Sequence, residues 1–358
     1  MRAAIFVGQD QPLSIEDVEA MPPGPSDVVV TVGASGVCHS DLSVIHGYVP
    51  LPPPTILGHE GTGVIEEVGP EVVGLKKGDR VIASFTPACG TCFWCLQDQS
   101  NLCEQSFAYG MIPRAKRGDG SISSTFTGLG TFSDVMTVNQ ASVVKVESDL
   151  PDEQLALIGC GVTTGVGAAL NTARITPGSS VAVIGCGGVG QAVIQGARIA
   201  GAGRIIAVDP VELKRKTAEQ QGATDLVDPG QGDSVSQVQA LTGGRGVDYA
   251  FEVIGLPETV VQAYGMARRG GTAVVVGMPR MDSQVTLPGF QLFYDEKKLL
   301  GCVYGSAQVK RDFQRLIGLI ETGRLDVGSM VSARIGLDDV NDAFRAMEAG
   351  EVIRSVIV

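Results

Sequence analysis

The stretch from Ser180 to Asp209 restricts the fold more than any other part of the chain. Ser180-Val181-Ala182-Val183-Ile184 is a nearly unbroken apolar run that leads straight into Gly185-Cys186-Gly187-Gly188-Val189-Gly190. An apolar helical pattern follows, roughly Val189 to Ala200, and then a second run, Arg204-Ile205-Ile206-Ala207-Val208-Asp209. A strand that is apolar on both faces must be covered on both, and the helix between two such strands is the crossover that a parallel pair requires. The alternation continues with a helix about Glu212 to Gln221, a short strand Asp225–Asp228 and a helix about Ser234 to Leu241. A strand Val247–Ile254, a helix near Pro257–Met266, a strand Thr272–Gly277 and a sixth strand within Leu299–Tyr304 complete it. The pattern predicts a doubly wound parallel sheet, an α/β domain spanning 161–303.

The residues ahead of it have a different character. Short β-rich runs (Val28–Val32, Gly63–Gly69, Asp79–Ala83) alternate with Gly and Pro, and Pro50 to Pro54 holds four prolines. Many short strands with glycine between them predict a small barrel or irregular sheet, and the proline run predicts a stiff extended loop. Helices near Val309–Thr322 and Leu337–Ala349 end the chain, and 358 residues suit two domains. The expected division is 1–160 with 304–358 as one domain and 161–303 as the other.

Gly185, Gly187 and Gly190 satisfy G-x-G-x-x-G, with Gly188 and Val189 completing the turn. The pattern alone is weak in a glycine-rich chain, and its context strengthens it. It follows an apolar strand, opens a helix, and is followed nineteen residues after Gly190 by Asp209 at the end of the next strand. The first glycine makes the turn, the second lets a pyrophosphate approach, and the third lets helix pack on strand. The helix N-terminus favours the phosphate charge. Asp209 can accept hydrogen bonds from both ribose hydroxyls and repels a 2′-phosphate, so NAD is expected over NADP, with Lys214 and Arg215 softening that preference. An ordinary glycine turn with nothing bound is the alternative.

Two groups of residues point to metal. Cys89, Cys92, Cys95 and Cys103 are four thiols within fifteen residues, the make-up of a closed structural zinc site. An iron–sulfur cluster is the rival, but bacterial cluster runs have a shorter last spacing followed by Pro, and Glu104 follows Cys103 here. The second group is dispersed: Cys38 in Cys38-His39-Ser40-Asp41, His59 in Gly58-His59-Glu60-Gly61, and Cys160 between Gly159 and Gly161. Spacing alone does not separate ligands from structural residues in this trio.

Composition excludes several classes. A net charge of −12, with no basic stripe, argues against nucleic acid as partner. No uncharged apolar run of ~18 residues is recognised, so no membrane span is expected. The N-terminal apolar run is too short for a secretory signal, and eight cysteines are too sparse for a disulfide scaffold, so a cytoplasmic location is expected.

These same residues carry a close resemblance to the zinc-dependent medium-chain alcohol dehydrogenases. The match includes Val37–Asp41, Gly58–Glu60, Phe85–Gly90, Leu157–Gly165, Gly185–Gly190, Phe251–Gly255 and Ile353-Arg354, nearly the whole chain. The resemblance implies a GroES-like β-rich catalytic domain, formed by the N-terminal part and the C-terminal tail, plus a Rossmann cofactor domain. It implies two zinc ions per chain, a catalytic one on Cys38, His59 and Cys160 and a structural one on Cys89, Cys92, Cys95 and Cys103. Glu60 is implied as a transient ligand, Asp41 as the carboxylate orienting His59, and Ser40 as the hydroxyl that takes the alcohol proton. His39 and Arg354 are implied at the cofactor pyrophosphate, and Asp209 and Lys214 at the adenosine ribose. Phe85, Leu129, Met278 and Val303 fall where relatives line the substrate pocket, which suggests medium-chain aliphatic, allylic or benzylic primary alcohols.

The implied reaction is reversible hydride transfer from a primary alcohol to NAD, giving an aldehyde, in a cleft with nicotinamide on one side and zinc at the bottom. Dimerisation through the sixth strand, as a homodimer or within a homotetramer, is also implied. One departure stands out: relatives often end the proton relay with a His three residues after the relay hydroxyl, and Ser43 stands there, with His46 three residues beyond. Alternatives are a thiol-adduct-dependent formaldehyde dehydrogenase, greeted by Arg114, Lys116 and Arg117 in the loop Gly110 to Gly120, and a nicotinoprotein that retains its NAD. A non-catalytic NAD(H)-binding structural protein is a further alternative, disfavoured by retention of Cys38, His59, Glu60 and Cys160 together. Cys186 and Cys302 are left over, Cys186 best read as a small buried filler.

Overall fold

The computed structural model describes residues 1–110 and 112–358. The chain forms two units, Met1–Gly161 with Gln308–Thr322 and Val327–Val358, and Val162–Ala307 with Gly323–Asp326. The second junction thus falls four residues beyond the expected 303/304, and the short Gly323–Asp326 segment goes with the second unit.

In the first unit, Asp27–Gly36 is the organising strand. It pairs antiparallel with Gly61–Val68 and Val135–Asn139, and its far end pairs with Arg354–Ile357. Arg80–Ala83, Val143–Lys145 and Val331–Ile335 complete a seven-stranded sheet. Val28 and Val30 point the same way, and with Ile65, Val81, Met136 and Val138 they fill its core. A second sheet of six short strands contains Arg2–Phe6 and Ile122–Thr125. The pairing of Arg354–Ile357 on Asp27–Gly36 brings the end of the chain beside residues that begin it.

In the second unit the six strands are all parallel, in the spatial order Asp225–Val227, Arg204–Val208, Ser180–Ile184, Val247–Glu252, Ala267–Val275, Lys298–Gly301. This is the order 3-2-1-4-5-6 of a doubly wound nucleotide sheet. The reason for continuous apolar strands is visible in the packing. Val181 and Val183 sit in one core cluster, while Ala182 and Ile184 sit in the cluster on the opposite face. The observed strand Ala267–Val275 starts earlier than Thr272, and the helix Gly289–Tyr294 had no counterpart in the sequence reading.

One helix corrects the sequence reading. Asp152–Thr172 is a continuous 21-residue helix, and among the described residues it is long and apolar enough to cross a membrane by length and composition. However, 78% of its apolar window is buried inside the protein, so it is a core helix. It widens to π-helical turns at Ile158–Val162 and Ala168–Thr172. Such turns often mark functional positions, and Cys160 lies on the first of them.

Candidate active site

The strand Asp27–Gly36 ends just before Cys38, which forms the N-cap of a short helix, His39–Ile45. Ser40 and Asp41 therefore sit in the first turn of that helix. His59 and Glu60 precede the strand Gly61–Val68, and Cys160 comes from the π turn of the long helix. These elements bring one ligand atom each of Cys38, His59, Glu60 and Cys160 within 4.8 Å of one another, all buried.

His59 Nδ1 lies 3.2 Å from Asp41 Oδ1, which also accepts the Gly58 backbone N–H at 2.9 Å. Nε2 of the same ring is buried and has no hydrogen-bond partner among the described residues. Burial opposes the charged imidazole, but the Asp41 carboxylate and the Cys38 thiolate outweigh it and raise the His59 pKa well above its ordinary value. The hydrogen bond with Cys160 lowers the Cys38 thiol well below its ordinary value, with help from His59 and Arg354, and Cys160 is raised in return. Two buried thiols beside an unpartnered ring nitrogen are the donor set of a thiophilic cation with two Cys and one His. Ser40 Oγ stands 3.9 Å from Cys38 Sγ.

Glu60 Oε1 accepts the Gly161 N–H at 3.1 Å, and Oε2 is paired with Arg354, both side chains almost sealed. Burial raises the Glu60 pKa and Arg354 opposes the rise. Arg354, expected at the cofactor pyrophosphate, is 3% exposed and faces Glu60. His39 is exposed at the start of its helix.

The rings of Phe85 and Phe126 meet His59 edge-on, with centroids 5.8 and 5.3 Å from it. Phe126 escaped the sequence reading because nothing in its local pattern sets it apart. Leu129, expected in the pocket wall, is fully buried in the core cluster of the seven-stranded sheet. Met278 and Val303 belong to the second unit and are about half exposed. Two arginines of the basic loop are engaged in ion pairs. Arg114 is 4% exposed and paired with Asp27, and Arg117 makes a bidentate contact with Glu16 at 2.8 and 2.7 Å. His46 is held by Asp10 and Glu348, each at 2.9 Å.

Cys89, Cys92, Cys95 and Cys103 place their sulfurs within 4.8 Å of one another. Backbone N–H groups of Thr91 and Cys92 point at Cys89 Sγ from 3.4 and 3.3 Å. Those bonds, the Thr91 amide first, lower the Cys89 pKa to about 6, whereas burial raises Cys95 to about 12. Four thiols cannot all ionise together unless a cation balances them, so this set also fits a metal.

In the second unit, Gly185 turns at φ +91°, and a side chain at Gly190 would strike the Gly185 carbonyl. Gly187 caps the helix Gly188–Ile199. Asp209 accepts the Cys186 N–H on Oδ2 and the Val211 N–H on Oδ1, both at 2.8 Å. A carboxylate has about four acceptor positions, so capacity for hydroxyl donors remains. Gln191, missed in the sequence, ties the loop down: its Nε2 donates to the carbonyls of Cys186 and Lys214 at 2.8 and 3.0 Å. Cys186 is buried, as a filler would be.

Comparison with known proteins agrees with this geometry. The family profile described as alcohol dehydrogenase GroES-like domain matches residues 24–148, and that described as zinc-binding dehydrogenase matches 188–322. The chain is 37% identical over 365 residues to an S-(hydroxymethyl)glutathione dehydrogenase of Synechocystis, covering 99% of both chains. It is 37% identical over 366 residues to an NDMA-dependent alcohol dehydrogenase of Amycolatopsis methanolica, covering 100% of this chain and 98% of that one. The crystal structure of benzyl alcohol dehydrogenase from Acinetobacter calcoaceticus superimposes with a TM-score of 0.92 at 31% identity, covering 99% and 98% of the two chains. With two family profiles and full-length relatives in agreement with two thiol-rich cation sites and a dinucleotide loop, the chain belongs to the zinc-dependent alcohol dehydrogenases of the medium-chain dehydrogenase/reductase family.

Proposed function

We propose that Cys38, His59 and Cys160 hold the catalytic zinc of an NAD-dependent primary alcohol dehydrogenase, with Glu60 as a transient further ligand. The observation that carries this reading is the buried, unpartnered Nε2 of His59 beside two thiols. Cys89, Cys92, Cys95 and Cys103 hold the structural zinc. When bound, zinc supplies the Lewis acidity that lowers an alcohol's pKa, and NAD supplies the hydride acceptor.

The chain's own residues do the rest. Asp41 holds His59 Nδ1 and so fixes which nitrogen faces the metal. Ser40 Oγ accepts the hydrogen bond of the alcohol proton and passes it outward. His46 takes no part, because both its nitrogens are engaged, so the proton leaves through water or the cofactor ribose. Arg354 balances Glu60. The Gly185–Gly190 turn cradles the pyrophosphate, with His39 as a further contact, and Asp209 and Lys214 meet the adenosine ribose.

The substrate is an apolar primary alcohol, benzylic before aliphatic. The two phenylalanine edges on His59 support this, as does the likeness to a benzyl alcohol dehydrogenase. A homodimer through the edge strand Lys298–Gly301 is supported by exposed Phe290, Phe293 and Leu299 on and near it. A cytoplasmic location suits eight cysteines without a disulfide.

The test is an alcohol panel with and without added NAD, read by nicotinamide absorbance. Turnover that needs NAD and is fastest on benzylic alcohols supports the proposal. A single stoichiometric burst without NAD means retained cofactor. Silence on alcohols with turnover of the hydroxymethyl adduct of glutathione assigns the thiol-adduct reaction instead.

A further inference from the structure

We propose that Asp228 helps to set the nucleotide preference of the second unit by holding Arg215 in an ion pair, and so keeping its charge from a 2′-phosphate. Asp228 is thus a positioning residue that acts through Arg215. The proposal rests on the reading of Gly185–Gly190 and Asp209 as the adenosine end of an NAD site.

Arg215 lies on the helix Glu212–Gln221, directly against Asp209, and its Nη1 donates to the Asp209 carbonyl at 2.6 Å. A guanidinium beside that acidic position is the group with which doubly wound sheets accommodate a 2′-phosphate. Here it is already engaged. Its Nη2 stands 3.0 Å from Asp228 Oδ2, and its side chain is only 14% exposed. Asp228 is itself anchored, since its Oδ1 accepts the Gly230 N–H at 2.8 Å just beyond the strand Asp225–Val227. The neighbouring Lys216 is also paired, with Glu212 at 2.6 Å.

The basic residues of this region are matched by acidic ones. Asp209, Glu212, Glu219 and Asp228 stand against Lys214, Arg215 and Lys216, so no positive charge is in surplus. A ribose with two hydroxyls adds no charge to that balance, whereas a phosphate monoester adds about −1.5 to −2. Removing the Asp228 charge frees a guanidinium already within reach of Asp209.

The experiment measures calorimetric Kd values for ADP-ribose and 2′-phospho-ADP-ribose, which carry neither nicotinamide nor any need for zinc. Asp228→Asn, Arg215→Ala and the double variant are compared in the parent chain and in an Asp209→Ser background, where the second carboxylate no longer masks the effect. Asparagine keeps an oxygen for the Gly230 N–H, and Asp228→Ser serves if Asp228→Asn does not fold.

We expect the parent to favour ADP-ribose by at least about tenfold. Asp228→Asn should cut that preference by about three- to tenfold while leaving the Kd for ADP-ribose within about twofold. The same change should have almost no effect on the preference once Arg215 is alanine. An unchanged preference in both backgrounds overturns the proposal. So does an equal change without Arg215, which would make Asp228 act through its own charge. Failure of the parent to bind ADP-ribose, or equal binding of both probes, removes the NAD reading itself and the proposal with it.

Discussion

His59 Nδ1 lies 3.2 Å from Asp41 Oδ1, and this single contact commits the ring's other nitrogen to a buried position with no hydrogen-bond partner among the described residues. Asp41 is fully buried and its second oxygen also lacks a partner. Such an arrangement is expensive in an empty fold and becomes favourable when Nε2 meets a cation. Asp41→Asn keeps the acceptor and removes the charge. Zinc affinity at this site is expected to fall about tenfold or more, read by competition with a chelator, while the structural site is unaffected.

The lobe that carries Cys89, Cys92, Cys95 and Cys103 has little apolar core of its own. Phe93, Leu96 and Phe107 are 62%, 69% and 76% exposed. The metal takes the place of a core there, as in small zinc modules. Cys103→Ala is expected to lower the zinc content from two to one per chain and to make residues 89–110 the first site of proteolysis. Proteolysis unchanged by the substitution would show that the lobe holds itself together.

Glu60 and Arg354 form a buried ion pair at the base of the catalytic site. Removing one partner of such a pair costs about 3–5 kcal/mol, because it leaves the other charge unbalanced. Arg354→Met is expected to lower the denaturation midpoint strongly, and Glu60→Gln on top of it to recover much of the loss. Failure of the second change to rescue the first would separate the two residues energetically.

His46 supplies a pH signature. Its hydrogen bond to Asp10 raises the imidazole pKa above 6.5, partial burial opposes the rise, and Glu348 adds to it. A raised folded pKa means a stabilisation fully present below the unfolded value and lost as pH climbs through the folded one. The stability difference between the parent and His46→Gln is expected to be larger at acid pH than well above neutrality, and below about 1 kcal/mol throughout. Urea denaturation at both pH values checks it.

The parallel sheet was legible in the sequence because its strands are buried on both faces, so Val181 to Ile184 had to be apolar without a break. The four-cysteine group was legible because its spacing is local. Cys38, His59 and Cys160 are separated by 21 and 101 residues, so no local pattern joins them, and only the family resemblance did. The helix Asp152–Thr172 was missed because Gly159, Gly161, Gly165 and Gly167 dilute its helical signal, and burial rather than propensity holds it. The partners of Arg114 and Arg117, Asp27 and Glu16, were not legible because they lie far away in sequence. The pairing of Arg354 with Glu60 was not legible either, because 294 residues separate them.

The central claim is that His59, with Cys38 and Cys160, holds the zinc at which alcohol is oxidised. The most direct test pairs zinc analysis with benzyl alcohol-dependent reduction of added NAD in the parent and in His59→Ala. The account predicts two zinc ions per chain and turnover in the parent, and one zinc ion with turnover reduced at least about a thousandfold in the variant. A His59→Ala protein that keeps two zinc ions, or that oxidises alcohol at the parent rate with one, would contradict it.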